Sequence, residues 1–156
     1  MKDKIKQRAL KYIMFKKRTE REVRAKLRNI LAKTDCSELN SLNELENSLI
    51  EELKEQGYID DQRYIERSIS EFINLKTLSI EEIKNKLLQK GLDKQLIEEY
   101  IDSNKEKLKE YELHSAKKIW QKKSKTMDPA EIKQYLMRKG YEEHEHTNIR
   151  NEEIWN

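Results

Sequence analysis

The chain has 156 residues, of which 40% are charged, and it carries only three glycines and one proline. So few turn-forming residues exclude sandwiches, barrels and doubly wound sheets, whereas alanine, glutamate, lysine, leucine and arginine make up half of the chain, a share typical of helical proteins. The net charge of +3 hides a segregation, because residues 1–33 carry a net +10 and residues 113–139 a net +6. We therefore expect an all-α protein whose partner is a charged protein surface or a nucleic acid rather than a membrane.

Eight amphipathic helices follow one another, each marked by apolar residues at helical spacing. The first stripe comprises Ile5, Ala9, Tyr12 and Ile13. The others begin at Val23, Leu42, Ile65, Ile80, Ile97, Leu108 and Ile132. The segment after Tyr141 is poorly patterned and leaves a ninth helix ill defined.

The three glycines are explained as helix stops. Gly57, Gly91 and Gly140 each follow a leucine by four positions and precede an apolar residue. This spacing is the sequence form of a Schellman motif, in which a glycine in the left-handed conformation ends the helix. No glycine is then left over for a loop that would cradle a phosphate.

Helix starts repeat along the chain. Capping boxes begin at Thr19, Ser79 and Asp128, each with a glutamate three residues later, and Pro129 occupies the first helical position of the third. The register predicts three units of three helices each, over residues 1–57, 58–104 and 105–156, with the capped helix in the middle of each unit.

An ordered set of short motifs resembles the RecX family of bacterial regulators of the RecA recombinase. The motifs are Ala9–Tyr12 in the first helix, Thr19–Leu27 in the second, and then Gly57–Tyr64, Ile83–Gly91 and Tyr135–Tyr141. The resemblance covers roughly residues 5 to 141. It implies an elongated, curved array of three tandem three-helix repeats, similar to helix-turn-helix units.

The resemblance also implies a function. Such a protein binds RecA filaments on single-stranded DNA, lies in the filament groove and inhibits filament growth, ATP hydrolysis and strand exchange. It is not an enzyme, it needs no cofactor, and we expect it to act as a monomer. Capping of filament ends is an open alternative to binding in the groove, and single- or double-stranded DNA is a further candidate partner.

Two basic clusters are candidate partner-binding sites. Arg21, Arg24 and Arg28 share one helix face, and Lys16, Lys17 and Arg18 lie at the entrance to that helix. The alternative is a solvated face that balances the acidic helix near Leu42. The second cluster contains Lys117, Lys118, Lys122 and Lys123, whose directions are spread around the helix, which indicates general attraction to phosphate or mere solubility.

Other candidate sites are weaker. His144 and His146 are too few and too poorly placed for a zinc site. Asp60 and Asp61 are expected to cap a helix rather than to act as an acid/base pair, and Trp120 is expected in the core rather than against a nucleic-acid base. The single cysteine, Cys36, excludes an internal disulfide. The longest apolar run, Tyr12–Phe15, is too short to cross a membrane, and we expect a cytoplasmic protein.

A direct DNA-binding protein is the alternative function. Its capped middle helices would then act as recognition helices in the major groove.

Overall fold

The structure is a computed structural model that describes residues 2–34 and 39–142. Within these ranges every regular element is an α-helix, which confirms the predicted fold class. The eight helices are α1 (Lys2–Phe15), α2 (Glu20–Ala32), α3 (Leu39–Glu55), α4 (Asp61–Leu75), α5 (Ile80–Gln89), α6 (Lys94–Ser103), α7 (Lys105–Lys123) and α8 (Pro129–Arg138). The segment in which a ninth helix was considered lies almost wholly outside the described residues.

The chain divides into two compact units. The first comprises Met1–Ile65 with Gln89–Asp93, and the second comprises Glu66–Leu88 with Lys94–Asn156. The three predicted repeats, with their boundaries after residues 57 and 104, stay a prediction.

The first unit has one hydrophobic core, built from the apolar stripes of its helices. Leu27 of α2 and Leu49, Ile50 and Leu53 of α3 are fully buried in it, together with Ala9 of α1. Burying such stripes is the main source of helix stability in a chain whose helices have only 13 to 17 residues here.

In the second unit, α7 and α8 enclose a smaller core. Ala116 and Trp120 of α7 pack with Ile132 and Leu136 of α8. Trp120 is buried, which confirms its assignment to the core, whereas Trp155 lies outside the described residues.

The glycines end helices as predicted. Gly57, Gly91 and Gly140 all have positive φ angles, between +79° and +90°. After α3 the Gly57 amide donates to the Lys54 carbonyl and the Tyr58 amide to the Leu53 carbonyl, which is the Schellman pattern.

The predicted N-terminal caps are present as well. Thr19 and Glu22 form a reciprocal capping box on α2, and Ser79 and Glu82 do the same on α5. Asp128 accepts the Glu131 amide at 2.9 Å on α8. Each cap satisfies amide groups that the first turn of a helix leaves without a partner.

In the first unit, later segments of the chain cover the N-terminus of α2. The Thr19 hydroxyl donates to the Lys90 carbonyl at 3.1 Å, and the Glu20 amide donates to the Asp61 carboxylate at 2.9 Å. Gly91 lies directly against the Arg21 side chain. Of the predicted acidic caps, Asp60 caps α4 through the Arg63 amide, whereas Asp61 serves α2.

The second unit covers the N-terminus of α5 with equivalent contacts. The Ser79 hydroxyl donates to the Lys139 carbonyl at 2.5 Å, and the Ile80 amide donates to Glu112 at 3.1 Å. Gly140 lies against Glu81, as Gly91 lies against Arg21. The N-termini of α2 and α5 are thus covered by the same kinds of contact at matching positions.

Candidate functional site

Two of the three basic residues at the entrance to α2, Lys17 and Arg18, contact aromatic rings. The Arg18 guanidinium lies 3.8 Å from the centre of the Tyr12 ring, and its Nε donates to the Tyr12 carbonyl at 3.2 Å. Only 10% of the Arg18 side chain is exposed. Lys17 lies over the Tyr64 ring, and Lys16 is exposed. Arg18 is therefore a fixed cation, whereas Lys16 extends into solvent.

Two residues of the arginine face, which comprises Arg21, Arg24 and Arg28, pair with acidic side chains of the first unit. Arg24 Nη1 and Arg28 Nε donate to Oε1 of Glu46 at 3.2 and 3.0 Å, and only 5% of the Glu46 side chain is exposed. Arg24 also donates to Glu20 at 3.2 Å.

These contacts give the arginine face an internal role. The alternative that it balances the acidic helix near Leu42 accounts for Arg24 and Arg28, because Glu46 belongs to that helix, α3. Burial disfavours the charged form of Arg24, but the hydrogen bonds that it donates to Glu20 and Glu46 outweigh this effect and raise the pKa of the guanidinium. Arg21 keeps its exposed head, although its stem packs on Gly91.

A different surface of the first unit is both basic and aromatic. A cavity of about 420 Å³, which we call the α1 cavity, is lined by Arg8, Lys11, Tyr12, Phe15, Arg18 and Lys26. The Lys26 ammonium lies 5.5 Å from the centre of the Tyr12 ring, on which Arg18 also stacks. Phe15 is 84% exposed. The cavity thus combines four cations with one free aromatic ring.

Sequence reasoning did not assemble the α1 cavity, although a signal for it was present. Arg8, Lys11, Tyr12 and Phe15 stand at positions i, i+3, i+4 and i+7, the spacing of one helix face. Tyr12 was assigned to the apolar stripe of α1, and the structure corrects this, since the ring is only half-buried and lies under two cations.

The second unit has its own basic cavity, between α7 and α8. It measures about 250 Å³ and is lined by four lysines together with Thr77, Glu82, Ile119 and Tyr135. The lysines are Lys118, Lys122, Lys123 and Lys139. Three of the α7 lysines whose directions were expected to be dispersed, at positions 118, 122 and 123, thus line the same cavity.

The lysines of this α7–α8 cavity are only partly neutralised. Lys139 lies 3.6 Å from the Glu82 carboxylate, and both Lys123 and Lys139 lie over the Tyr135 ring, at 4.9 and 5.7 Å. Four lysines against one glutamate leave a local excess of three positive charges. Lys117 is half-buried and does not line the cavity.

Both cavities suit anions. Converging cations with few carboxylates raise the local positive potential and attract negatively charged partners. Among the described residues no group of three or more His, Cys, Asp or Glu side chains could hold a metal ion, and His144 and His146 lie outside those residues. The described helices also include none that is long and apolar enough to span a membrane.

Comparison with known proteins gives a consistent relationship. No family model matches the chain. It is 32% identical to "Regulatory protein RecX" of Staphylococcus carnosus over 138 residues, which are 85% of this chain and 48% of that protein. It is 31% identical to the protein of the same description from Clostridium botulinum over 144 residues, 88% of this chain and 63% of that protein. The chain thus spans about half of the length of the first relative and less than two thirds of the second.

A solved structure shares the fold. The crystal structure of RecX from Lactobacillus salivarius superposes with a TM-score of 0.76 at 24% identity, over 97% of this chain and 95% of that one. The eight helices, the curated relatives and this shared fold agree with the motifs found along the sequence. The chain belongs to the RecX family of regulatory proteins.

Proposed function

We propose that the protein is a non-enzymatic regulator that binds RecA recombinase filaments on single-stranded DNA. Bound there, it inhibits filament growth, ATP hydrolysis and strand exchange. Family membership supports this role, and so does the chemistry of the surface, because a nucleoprotein filament offers both carboxylates and phosphates to basic side chains. Such a regulator acts in the cytoplasm, in DNA recombination and repair and in the SOS response.

The observation that carries the proposal is the α7–α8 cavity. Three of its four lysines lie on α7 and the fourth, Lys139, directly follows α8. Lys118 and Lys122 make no ion pair with any residue in the described part of the chain. Converging unpaired ammonium groups repel one another, and an anionic partner removes that cost. Lys118, Lys122 and Lys123 are thus the α7 residues that we assign to the filament contact.

The contribution of the first basic cluster follows from its contacts. Lys16 and Arg21 are exposed, and Arg28 keeps 70% of its side chain exposed although it pairs with Glu46. These three residues are therefore the better candidates for filament contacts. Lys17, Arg18 and Arg24 are more enclosed, and in our proposal they set the shape of the surface.

RecA ATP hydrolysis on single-stranded DNA tests the proposal directly. The unmodified protein should lower the rate of hydrolysis. The double variant Lys118→Glu/Lys122→Glu should need at least about tenfold more protein for the same inhibition, because reversing charges at an interface turns attraction into repulsion.

A matched control lies in the same helix. Lys105→Glu/Lys109→Glu makes the same charge change at the same i, i+4 spacing, on exposed residues of α7 that do not line the cavity. It should leave inhibition nearly unchanged. Equal losses of inhibition in both double variants would show that the effect depends only on net charge. If the unmodified protein did not inhibit RecA at all, the proposed function itself would be contradicted.

The alternative function, DNA binding through the middle helices, meets an obstacle in the structure. A recognition helix contacts bases through residues near its N-terminus. The N-terminus of α2 is covered by Asp61 and Lys90, and that of α5 by Glu112 and Lys139. The first turn of α8 carries the acidic Glu131 next to the Asp128 cap. None of the three ends suits a DNA groove.

A further inference from the structure

We infer that the α1 cavity binds single-stranded nucleic acid by stacking an unpaired base on Phe15. This site goes beyond regulation of the recombinase, because it requires no recombinase to be present.

Phe15 is available as a stacking surface. It is the last residue of α1, and 84% of its surface is exposed, next to Met14 at 72%. Burying a phenylalanine side chain is favourable by roughly 1.5 to 3 kcal/mol relative to leaving it exposed to water. Because every nucleobase has an apolar face, stacking covers such a ring without requiring a particular sequence.

Tyr12 has a different role in the same cavity. Arg18 lies 3.8 Å from the centre of its ring and Lys26 lies 5.5 Å from it, so the ring is already occupied. Tyr12 is therefore a positioning residue, which holds two cations at the cavity, whereas Phe15 makes the contact with the base.

The charges complement a phosphate backbone. Lys11 and Arg8 line the cavity one and two helical turns from Phe15, and neither forms an ion pair or hydrogen bond with any described residue. With Arg18 and Lys26 the lining carries four cations, and all its other members are aromatic. Cations that track the backbone beside an aromatic ring are the usual combination in proteins that bind single strands.

Duplex DNA and an acidic protein segment fit this surface less well. The bases of a duplex are stacked on one another and leave none free for Phe15. An acidic protein segment would satisfy the cations but gives the exposed ring no planar partner. We therefore commit to single-stranded nucleic acid as the occupant.

Fluorescence polarisation of a labelled oligo(dT) strand, in the absence of recombinase, tests the inference. The unmodified protein should bind oligo(dT) at least about fivefold more tightly than an abasic strand of equal length, because only the former can stack. Phe15→Leu should abolish this difference, and Phe15→Trp should retain it. Raised salt should weaken binding of both strands, since phosphate contacts remain in each.

The chain offers a matched control for the loss of an exposed apolar residue. Leu75 ends α4 and is 79% exposed, yet it does not line the cavity. Leu75→Ala should leave oligo(dT) binding unchanged. Because Phe15 and Leu75 are both exposed, neither substitution should disturb folding.

Three outcomes would overturn the inference. They are equal binding of the abasic strand, unchanged oligo(dT) binding by Phe15→Leu, and an equal loss in Leu75→Ala. A Phe15→Leu variant that loses only its effect on RecA would show that the ring contacts protein instead. None of these results bears on whether the unmodified protein inhibits RecA, and so the two proposals fail separately.

Discussion

Replacing Gly91 with alanine should destabilise the protein more than the same replacement at Gly57. Both glycines end helices with nearly equal φ angles, +84° and +79°, and both belong to the first compact unit. They differ in their surroundings. A Cβ atom at Gly57 would meet nothing within 4 Å, whereas one at Gly91 would lie 2.0 Å from Cδ and 2.9 Å from Cβ of Arg21.

The magnitudes follow from these distances. The left-handed backbone costs an alanine about 1 to 2 kcal/mol at either position, and Gly57→Ala should cost no more than that. At Gly91 the Arg21 side chain must also move, and overpacking of this kind typically adds about 1 to 3 kcal/mol. Gly91→Ala should therefore be at least about 1 kcal/mol less stable than Gly57→Ala.

Urea denaturation followed by circular dichroism measures this difference. With a slope of about 2 kcal/mol per molar urea, the midpoint of Gly91→Ala should lie roughly 0.5 M or more below that of Gly57→Ala. Adding Arg21→Ala should recover part of the extra loss, because the clash with Cδ disappears while the Arg21 Cβ position remains occupied. Equal midpoints for the two glycine variants would show that close packing on Arg21 does not require a glycine at position 91.

Three further predictions concern single side chains. Arg24→Glu should cost at least about 2 kcal/mol, because Glu46 is almost fully buried and would face a like charge; a loss below about 0.5 kcal/mol in urea denaturation would contradict this. Burial raises the pKa of Glu20, but the hydrogen bonds that Lys54 and Arg24 donate to it have a larger effect and leave the pKa below its usual 4.5. The Glu20 carboxylate therefore stabilises the folded protein above that pH, and this contribution is lost on acidification. The urea midpoint of Glu20→Gln should therefore fall less between about pH 5 and pH 3 than that of the unmodified protein, and parallel curves would refute the role of Glu20. Tyr111→Phe removes the hydroxyl that accepts the Leu78 amide at 3.1 Å, and an amide left unsatisfied should lower stability by about 1 to 3 kcal/mol in the same assay, where no change would contradict it.

Local signals predicted the helices and their ends well. Capping boxes and glycine stops act within five or six residues, so Thr19, Ser79 and Gly57 could be interpreted without knowing the fold. Asp61 shows the limit of such reasoning. Its position suggested a cap for the helix that it begins, yet its carboxylate accepts the amide of Glu20, 41 residues earlier.

The candidate surfaces were harder to predict for the same reason. The alignment of Arg24 and Arg28 on one face was correct, but their pairing with Glu46 depends on how α2 packs against α3. The α7–α8 cavity likewise requires Lys139 of one segment to approach Lys122 of another. Helical spacing predicts the direction in which each side chain points around its own helix. It does not predict which other helix or loop packs on that side.

The covered N-termini of α2 and α5 have a consequence for biosynthesis. Each helix receives its last hydrogen-bond partners from chain that is made later, and Lys90 lies 71 residues after Thr19. At roughly 5 to 20 residues per second, the ribosome needs about 4 to 14 s to supply that partner. During this interval the Thr19 hydroxyl has its local partner Glu22 but lacks the Lys90 carbonyl, and the Glu20 amide lacks the Asp61 carboxylate until residue 61 has been made. The first turn of α8 makes no such demand, because Pro129 has no amide hydrogen and the Asp128 carboxylate is three residues from the amide that it accepts. The nascent protein thus completes its earlier helices with its later ones, whereas the first turn of its last described helix is capped within three residues.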